Sequence, residues 1–182
     1  MNDVMIDLET LGTLPGSVIL SIGAVMFDPL DPRGTIGQTF YRVVSQASCL
    51  AAGLTTSAST LEWWSMQNAE ARKVLAQSQS DEAWELTDAL MALSDFIPKN
   101  ARVWSNGANF DQPLLDVAYN KVDIKLPWEY WNSRCYRTIK SLVPNAKDLA
   151  PETVVAHNAL EDAKWQTIHL QRMMNVLARG KP

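Results

Sequence analysis

Cysteine is nearly absent from this 182-residue chain: only Cys49 and Cys135 occur, with no CxxC and no Cys/His spacing around either. That excludes a disulfide framework and a zinc knuckle, and it makes a reducing compartment the expectation. Histidine is equally scarce, limited to His157 and His169. Positive charge does not dominate, since 16 Lys and Arg stand against 20 Asp and Glu, a net charge of −4. A surface coated with cations for gripping long duplexes is therefore excluded. Nucleic acid as such is not, because clustered carboxylates carry negative charge that bound cations cancel locally. Long hydrophobic runs are missing too. The longest apolar-rich stretch, Val18 to Phe27, is about half of what a membrane span requires. The N-terminus is acidic by Asp3 and lacks the basic lead and apolar stretch of a signal peptide. These absences predict a soluble, cytoplasmic protein with no membrane partner.

What is present is a core. Hydrophobic residues make up 47% of the chain, enough for one well-filled domain spanning 1–182. Val4 to Glu9, Ser17 to Phe27 and Thr39 to Val44 read as strands. Their short connections, rich in Gly, Pro and Asp, predict an antiparallel meander. Thr60 to Gln77 and Asp81 to Phe96 read as helices, Arg102 to Ser105 as a buried strand, and Asp111 to Tyr119 as the helix after it. Asn120 to Pro151 is irregular, with a short helix expected near Tyr136 to Leu142. A long helix closes the chain from about His157 to Ala178. The succession predicts an α/β domain with a mixed central sheet flanked by helices.

Three acidic motifs carry the chemistry. In MIDLET, Asp7 and Glu9 lie two apart on a strand, so both side chains emerge on one face with Cα atoms roughly 7 Å apart. In NGANFD, Asp111 follows a strand and opens a helix, with Asn106 and Phe110 just ahead of it. In HNALED, His157 precedes Asp162 by five residues. On one helix that spacing turns the two about 140° apart, so they converge only if His157 sits in the loop before the helix. Each motif alone has an ordinary reading: solvated strand-end acids, an acid complementing a helix dipole, a surface histidine. Together and in this order they match a metal-dependent phosphoryl-transfer site. Cleaving a phosphodiester requires charge neutralisation on both attacking and leaving oxygens, which two divalent ions about 4 Å apart provide. Oxygen-only ligands suit Mg²⁺ or Mn²⁺. Asp7, Glu9, Asp111 and Asp162 are thus the expected ligands. A neutral histidine beside the attacking water accepts its proton near pH 7, the role expected of His157. His169 lies about 10 Å further along the last helix and reads as structural.

MIDLET, NGANFDQPLL and HNALEDAKW resemble, in order and spacing, the three motifs of the DEDDh branch of the DnaQ-like 3′→5′ exonuclease superfamily. That branch includes RNase T, oligoribonuclease and the proofreading subunit of bacterial DNA polymerase. The H-x₄-D spacing separates it from the tyrosine-bearing DEDDy branch. The resemblance spans nearly the whole chain and implies an RNase H-like fold and release of nucleoside 5′-monophosphates from a nucleic acid 3′ end. The TLEWW segment looks closest to a small phage and bacterial group related to RNase T, some of them exoribonucleases. Thr10 and Leu11 are implied to meet the terminal nucleotide, and a symmetric homodimer is common among relatives.

Trp63 and Trp64 are candidates for stacking on a terminal base. Periodicity places Trp64 toward the core and leaves Trp63 freer. Trp104, on a buried strand, reads as core. Arg134, Arg137 and Lys140, interleaved with Tyr136, form the densest basic cluster, suited to guiding phosphates or to a solvated helix face. By family analogy RNA is slightly favoured over DNA. The alternatives are a DNA-specific 3′→5′ exonuclease with the same site, a catalytically silent nucleic-acid-binding module, and a phosphatase built on the D-x-E strand. The last leaves Asp111 and His157–Asp162 unexplained.

Overall fold

The computed structural model of the chain describes residues 1–152 and 157–180. Strands β1 (Asp3–Thr10), β2 (Ile19–Phe27) and β3 (Ile36–Val43) form the expected antiparallel meander. Strand β4 (Arg102–Ser105) then adds parallel to β1, and a three-residue strand β5 (Ser133–Cys135) adds parallel to β4. The sheet order is β3-β2-β1-β4-β5, a mixed sheet of five strands.

Alternation along β1 decides what each face of the sheet holds. Val4, Ile6 and Leu8 point to one side, into an apolar cluster. The helices α2 (Ala58–Ser65), α4 (Leu86–Phe96) and α5 (Asp111–Lys121) contribute Trp64, Leu90 and Leu114 to it. Met5 points to the other side, into a second cluster with Ala163, Leu170 and Met173 of the closing helix α7 (Ala159–Ala178). Tyr136, from α6 (Tyr136–Leu142), completes that side. With both faces covered, β1 and β2 read as nearly continuous buried runs.

Several elements differ from the sequence expectation. The helix anticipated over Thr60–Gln77 is two short helices, α2 and α3 (Lys73–Gln77). Between them the Asn68 side chain accepts from the Ala71 N–H at 2.9 Å, a local turn that competes with helix propagation. The helix anticipated from Asp81 begins at Leu86, because Trp84 pairs with the end of β3 through Trp84 N–H to Val43 O and Ser45 N–H to Trp84 O. Helix α1 (Gln46–Ala51) and strand β5 lie where no element was expected. Both are too short for a periodic pattern to register. The C-terminal helix starts two residues after His157, capped by Asn158, whose side-chain oxygen accepts from Leu160 and Glu161 N–H. Among the described residues no helix is long and apolar enough to cross a membrane. Both cysteines are free, Cys49 in the core and Cys135 half-buried.

Candidate active site

β1 runs past the end of its pairing with β4, which stops at Met5–Trp104. Beyond that point the parallel strands diverge, and the connections leaving their C-terminal ends enclose a crevice, the usual ligand position of an open α/β sheet. Asp7 and Glu9 occupy this free end on the α7 face, continuing the row that Met5 begins. The face therefore changes from apolar to acidic where α7 starts. Asp162, in the first turn of α7, meets them there. One carboxylate oxygen each from Asp7, Glu9 and Asp162 lie within 4.8 Å of one another.

That approach depends on Gly23. It pairs with Asp7 across β1–β2, and a Cβ there would drive into the carbonyl of Ala159 and the N–H of Leu160. Without a side chain at 23, the first turn of α7 rests on the backbone of β2. Gln166, one turn after Asp162, donates from Nε2 to Asp7 Oδ1 at 2.8 Å and fixes that carboxylate. Asp111 comes from the neighbouring strand's exit. Gln112 anchors the start of α5 by donating to Val103 O, Ser105 Oγ and Arg134 O, each at 3.1 Å. Asp111 is 2% exposed, and its Oδ2 has no hydrogen-bond partner among the described residues.

Burial raises the proton affinity of all four carboxylates, and at Asp7 and Glu9 the charges of Asp111 and Asp162 add to it. Burial, then the charges of Asp162 and Asp111, push Glu9 up to about 8. Burial pushes Asp111 up to about 7, against the pull of backbone N–H donors and the Arg137 guanidinium. Asp7 is raised well above the ordinary carboxylate range by desolvation and by Asp111, Glu9 and Asp162, offset by the Gln166 amide. Desolvation raises Asp162 as well, opposed by the His157 backbone N–H. Convergent oxygen ligands, an orphaned buried carboxylate oxygen and suppressed ionisation all fit divalent cations of the Mg²⁺ or Mn²⁺ type, which supply the missing positive charge.

His157 sits just before α7 with its backbone in the left-handed region, φ 64°. Its N–H donates to Asp162 Oδ2 at 3.0 Å. The imidazole packs edge-on against Trp63, ring centroids 5.0 Å apart, and more distantly against Trp64. His157 takes the loop position inferred from spacing, where it lines a cleft of about 120 Å³ with Tyr41, Val74 and Asn158.

Two clefts flank the free end of β1. One, of about 390 Å³, is lined by Leu8, Glu9, Thr10, Thr13, Trp63 and Phe110, with Ser59, Thr60 and an edge of Trp64. The other, of about 430 Å³, is lined by Asp7, Asp111, Asn106, Asn109, Phe110 and Arg137, and it shares Leu8 and Thr13 with the first. Trp63 is 38% exposed, whereas Trp64 is buried and donates from Nε1 to Thr10 O at 2.9 Å, bracing β1. Leu11 departs from expectation: its side chain is buried in the core and lines neither cleft. The β1–β2 register is irregular between Glu9 and Thr10, and Leu8 lines both clefts. His169 is structural, bonded to Tyr136 Oη at 2.6 Å and Ala146 O at 2.7 Å. Trp104 is core, its Nε1 donating to Asp3. Gln166, Gln112 and Gly23 escape the sequence reading. Only Gln166 leaves a signal there, four residues after Asp162 and so on the same helix face.

The chain is similar to several known nucleases. Residues 2–174 match the model of the 3′-5′ exoribonuclease Rv2179c-like domain. The exodeoxyribonuclease of Enterobacteria phage T4 is 29% identical, with 89% of this chain and 84% of the phage protein covered. Among solved structures, exonuclease X in complex with 5′-overhanging duplex DNA superposes with a TM-score of 0.59 at 17% identity, covering 96% of this chain and 92% of that one. The nuclease domain of 3′hExo, a DEDDh family member bound to rAMP, gives a TM-score of 0.59 at 15% identity, covering 97% and 91%. The sheet and helix arrangement is RNase H-like. With the Asp7, Glu9 and Asp162 carboxylates gathered at one end of that sheet, the chain belongs to the Rv2179c-like 3′-5′ exoribonuclease domain family and is a 3′→5′ exonuclease.

Proposed function

We propose that the whole chain, 1–182, acts as one catalytic domain that removes nucleoside 5′-monophosphates from single-stranded 3′ ends or 3′ overhangs in the cytoplasm. Asp7, Glu9, Asp111 and Asp162 hold two divalent ions, Mg²⁺ or Mn²⁺, and His157 is the general base. The observation that carries this reading is the convergence of Asp7, Glu9 and Asp162 oxygens within 4.8 Å beside the unpartnered oxygen of Asp111. Exonucleases of the DEDDh type use divalent metal. Divalent ions bound by these carboxylates would supply the positive charge that cleavage of a phosphodiester requires.

The protein's own groups perform the rest. Trp63 and Phe110 hold the terminal base across the smaller cleft, stacking without regard to its identity. The Thr10 backbone and the Leu8 wall position the terminal sugar. His157 accepts a proton from the attacking water as the water oxygen bonds to phosphorus. The bond from phosphorus to the 3′ oxygen of the preceding nucleotide breaks, and that oxygen takes up a proton on the shortened strand. The mononucleotide leaves carrying the phosphate at its 5′ position. His157 is held for this by the edge-on contact with Trp63 and by the bond from its N–H to Asp162.

RNA is the favoured substrate. Support comes from the family's exoribonuclease description and from the hydroxyl-bearing residues Thr13, Ser59 and Thr60 that line the smaller cleft, a residue type suited to a 2′-OH. DNA is the second reading, favoured by the phage exodeoxyribonuclease relative. Timed digestion of 5′-labelled RNA and DNA strands of one sequence, in Mg²⁺, Mn²⁺ or EDTA, tests both. A metal-dependent ladder shrinking from the 3′ end is expected, faster on RNA. Faster DNA digestion would select the second reading, and intact strands in every metal would overturn the mechanism.

A further inference from the structure

Two large aromatic rings stand outside both apolar clusters, in the turn Tyr130–Asn132 that leads into β5. Tyr130 is 82% exposed and Trp131 60% exposed, and they pack edge-to-face with ring centroids 4.9 Å apart. Scattered exposed apolar residues need no explanation, but a preformed aromatic pair among cations does. Arg134, Arg137 and Lys140 follow within ten residues, and none forms an ion pair with a carboxylate among the described residues. The acid of this segment, Glu129, is paired with Lys125. Arg134 is pinned over the segment by donating from Nη1 to Trp131 O and Ser133 O.

The segment is tied to the cleft by backbone pairing. Cys135 sits opposite Ser105, and the Arg137 N–H donates to Asn106 O at 3.1 Å. The Arg137 side chain also bonds Asn106 O and Asn109 Oδ1, and it lines the cleft that Asp7 and Asp111 share. Six residues separate Trp131 from Arg137, so their Cα atoms lie at most roughly 22 Å apart. That is a reach of a few nucleotides along a strand whose last base occupies the smaller cleft.

We propose that Tyr130 and Trp131, with Arg134, Arg137 and Lys140, form a platform that grips the unpaired strand upstream of the 3′-terminal nucleotide. Bases stack on the rings and the cations follow the phosphates. The rings select single strand over duplex, because only unpaired bases offer free faces. RNA and DNA share this chemistry. The proposal rests on reading the Asp7–Asp111 cleft as the cleavage site.

The test pairs the double variant Tyr130→Ala/Trp131→Ala with the parent on a trinucleotide and on a strand of about 15 nucleotides. Losing one or two stacked bases raises KM for the long strand roughly 10- to 100-fold, leaves kcat unchanged and leaves the trinucleotide unaffected. Trp131→Phe, which keeps a stacking face, restores most of the loss. Binding of a 5′-fluorescent strand in EDTA, read by anisotropy, is measured alongside and is weakened by the same substitutions. Equal losses on both substrates, or no loss on either, would overturn the platform. So would a parent that sediments as a dimer and a double variant that sediments as a monomer, which would assign the rings to a second copy of this chain. A parent that binds strand but cleaves nothing would sink the exonuclease mechanism, while the anisotropy comparison still decides the platform.

Discussion

Replacing Asp111 by Asn should stabilise the metal-free protein at alkaline pH while abolishing its response to metal. Asp111 is 2% exposed with an unpartnered Oδ2, and its folded-state pKa stands at about 7, against 3.8 for an ordinary aspartate. A pKa raised on folding means that the native state binds this proton more tightly than the unfolded chain. The contribution is thus fully present below about pH 4 and is lost as pH climbs through about 7. At 1.36 kcal/mol per pH unit, the penalty for ionised Asp111 at pH 8 reaches at most about 4 kcal/mol. Asn keeps the shape and cannot ionise, so Asp111→Asn in EDTA should gain about 2–4 kcal/mol at pH 8 and almost nothing at pH 4. For a domain of this size that is roughly 5–12 °C in melting temperature. Mg²⁺ or Mn²⁺ at about a hundred times its dissociation constant should restore about 2.7 kcal/mol to the parent and far less to the variant. Thermal melts from pH 4 to 8, with EDTA and with metal, read both effects. A variant less stable than the parent at pH 8 in EDTA, or one that gains as much from metal, would refute the view that Asp111 is held for a cation.

The same competition between protons and cations shapes the pH profile. Exonuclease rate should rise between about pH 6 and 8 as Asp111 and Glu9 lose their protons, and more metal should move that rise to lower pH. His157→Ala should lower kcat roughly 10²- to 10⁴-fold without changing the melting shift that metal produces, separating proton transfer from ion binding. Gln166→Leu removes the donor to Asp7, so the metal concentration for half-maximal rate should increase roughly 10- to 100-fold; an unchanged midpoint would deny Gln166 a positioning role. Gly23→Ala forces a methyl against the start of α7 and should cost about 1–3 kcal/mol of stability. Activity should fall further than the melting temperature alone accounts for, since Asp162 moves with that helix turn.

Some of this molecule is local and some is not. A period of two puts Asp7 and Glu9 on one face wherever β1 is placed, and helical geometry forbids His157 and Asp162 from converging unless the histidine precedes the helix. Such relations hold between residues a few positions apart, so the amino-acid order alone determines them, as it does the meander with its short turns. Element type was equally readable where an apolar pattern ran long enough, in β2 and α7. The failures lie where distant groups decide. β5 exists because β4 offers it an unpaired edge. Gly23 reads as a weak point in a strand until Ala159 is seen resting on it. Gln166 reaches Asp7 across 159 residues, and Gln112 ties three segments together through one amide. Leu11 is buried in the core, just past an irregularity of the strand register that no residue count reveals. The sequence by itself determined which residue types were available and which of their neighbours share a face. Only the tertiary structure decided which buried charges stand close enough to suppress one another's ionisation, because that depends on distances between strands and helices that the chain order does not contain.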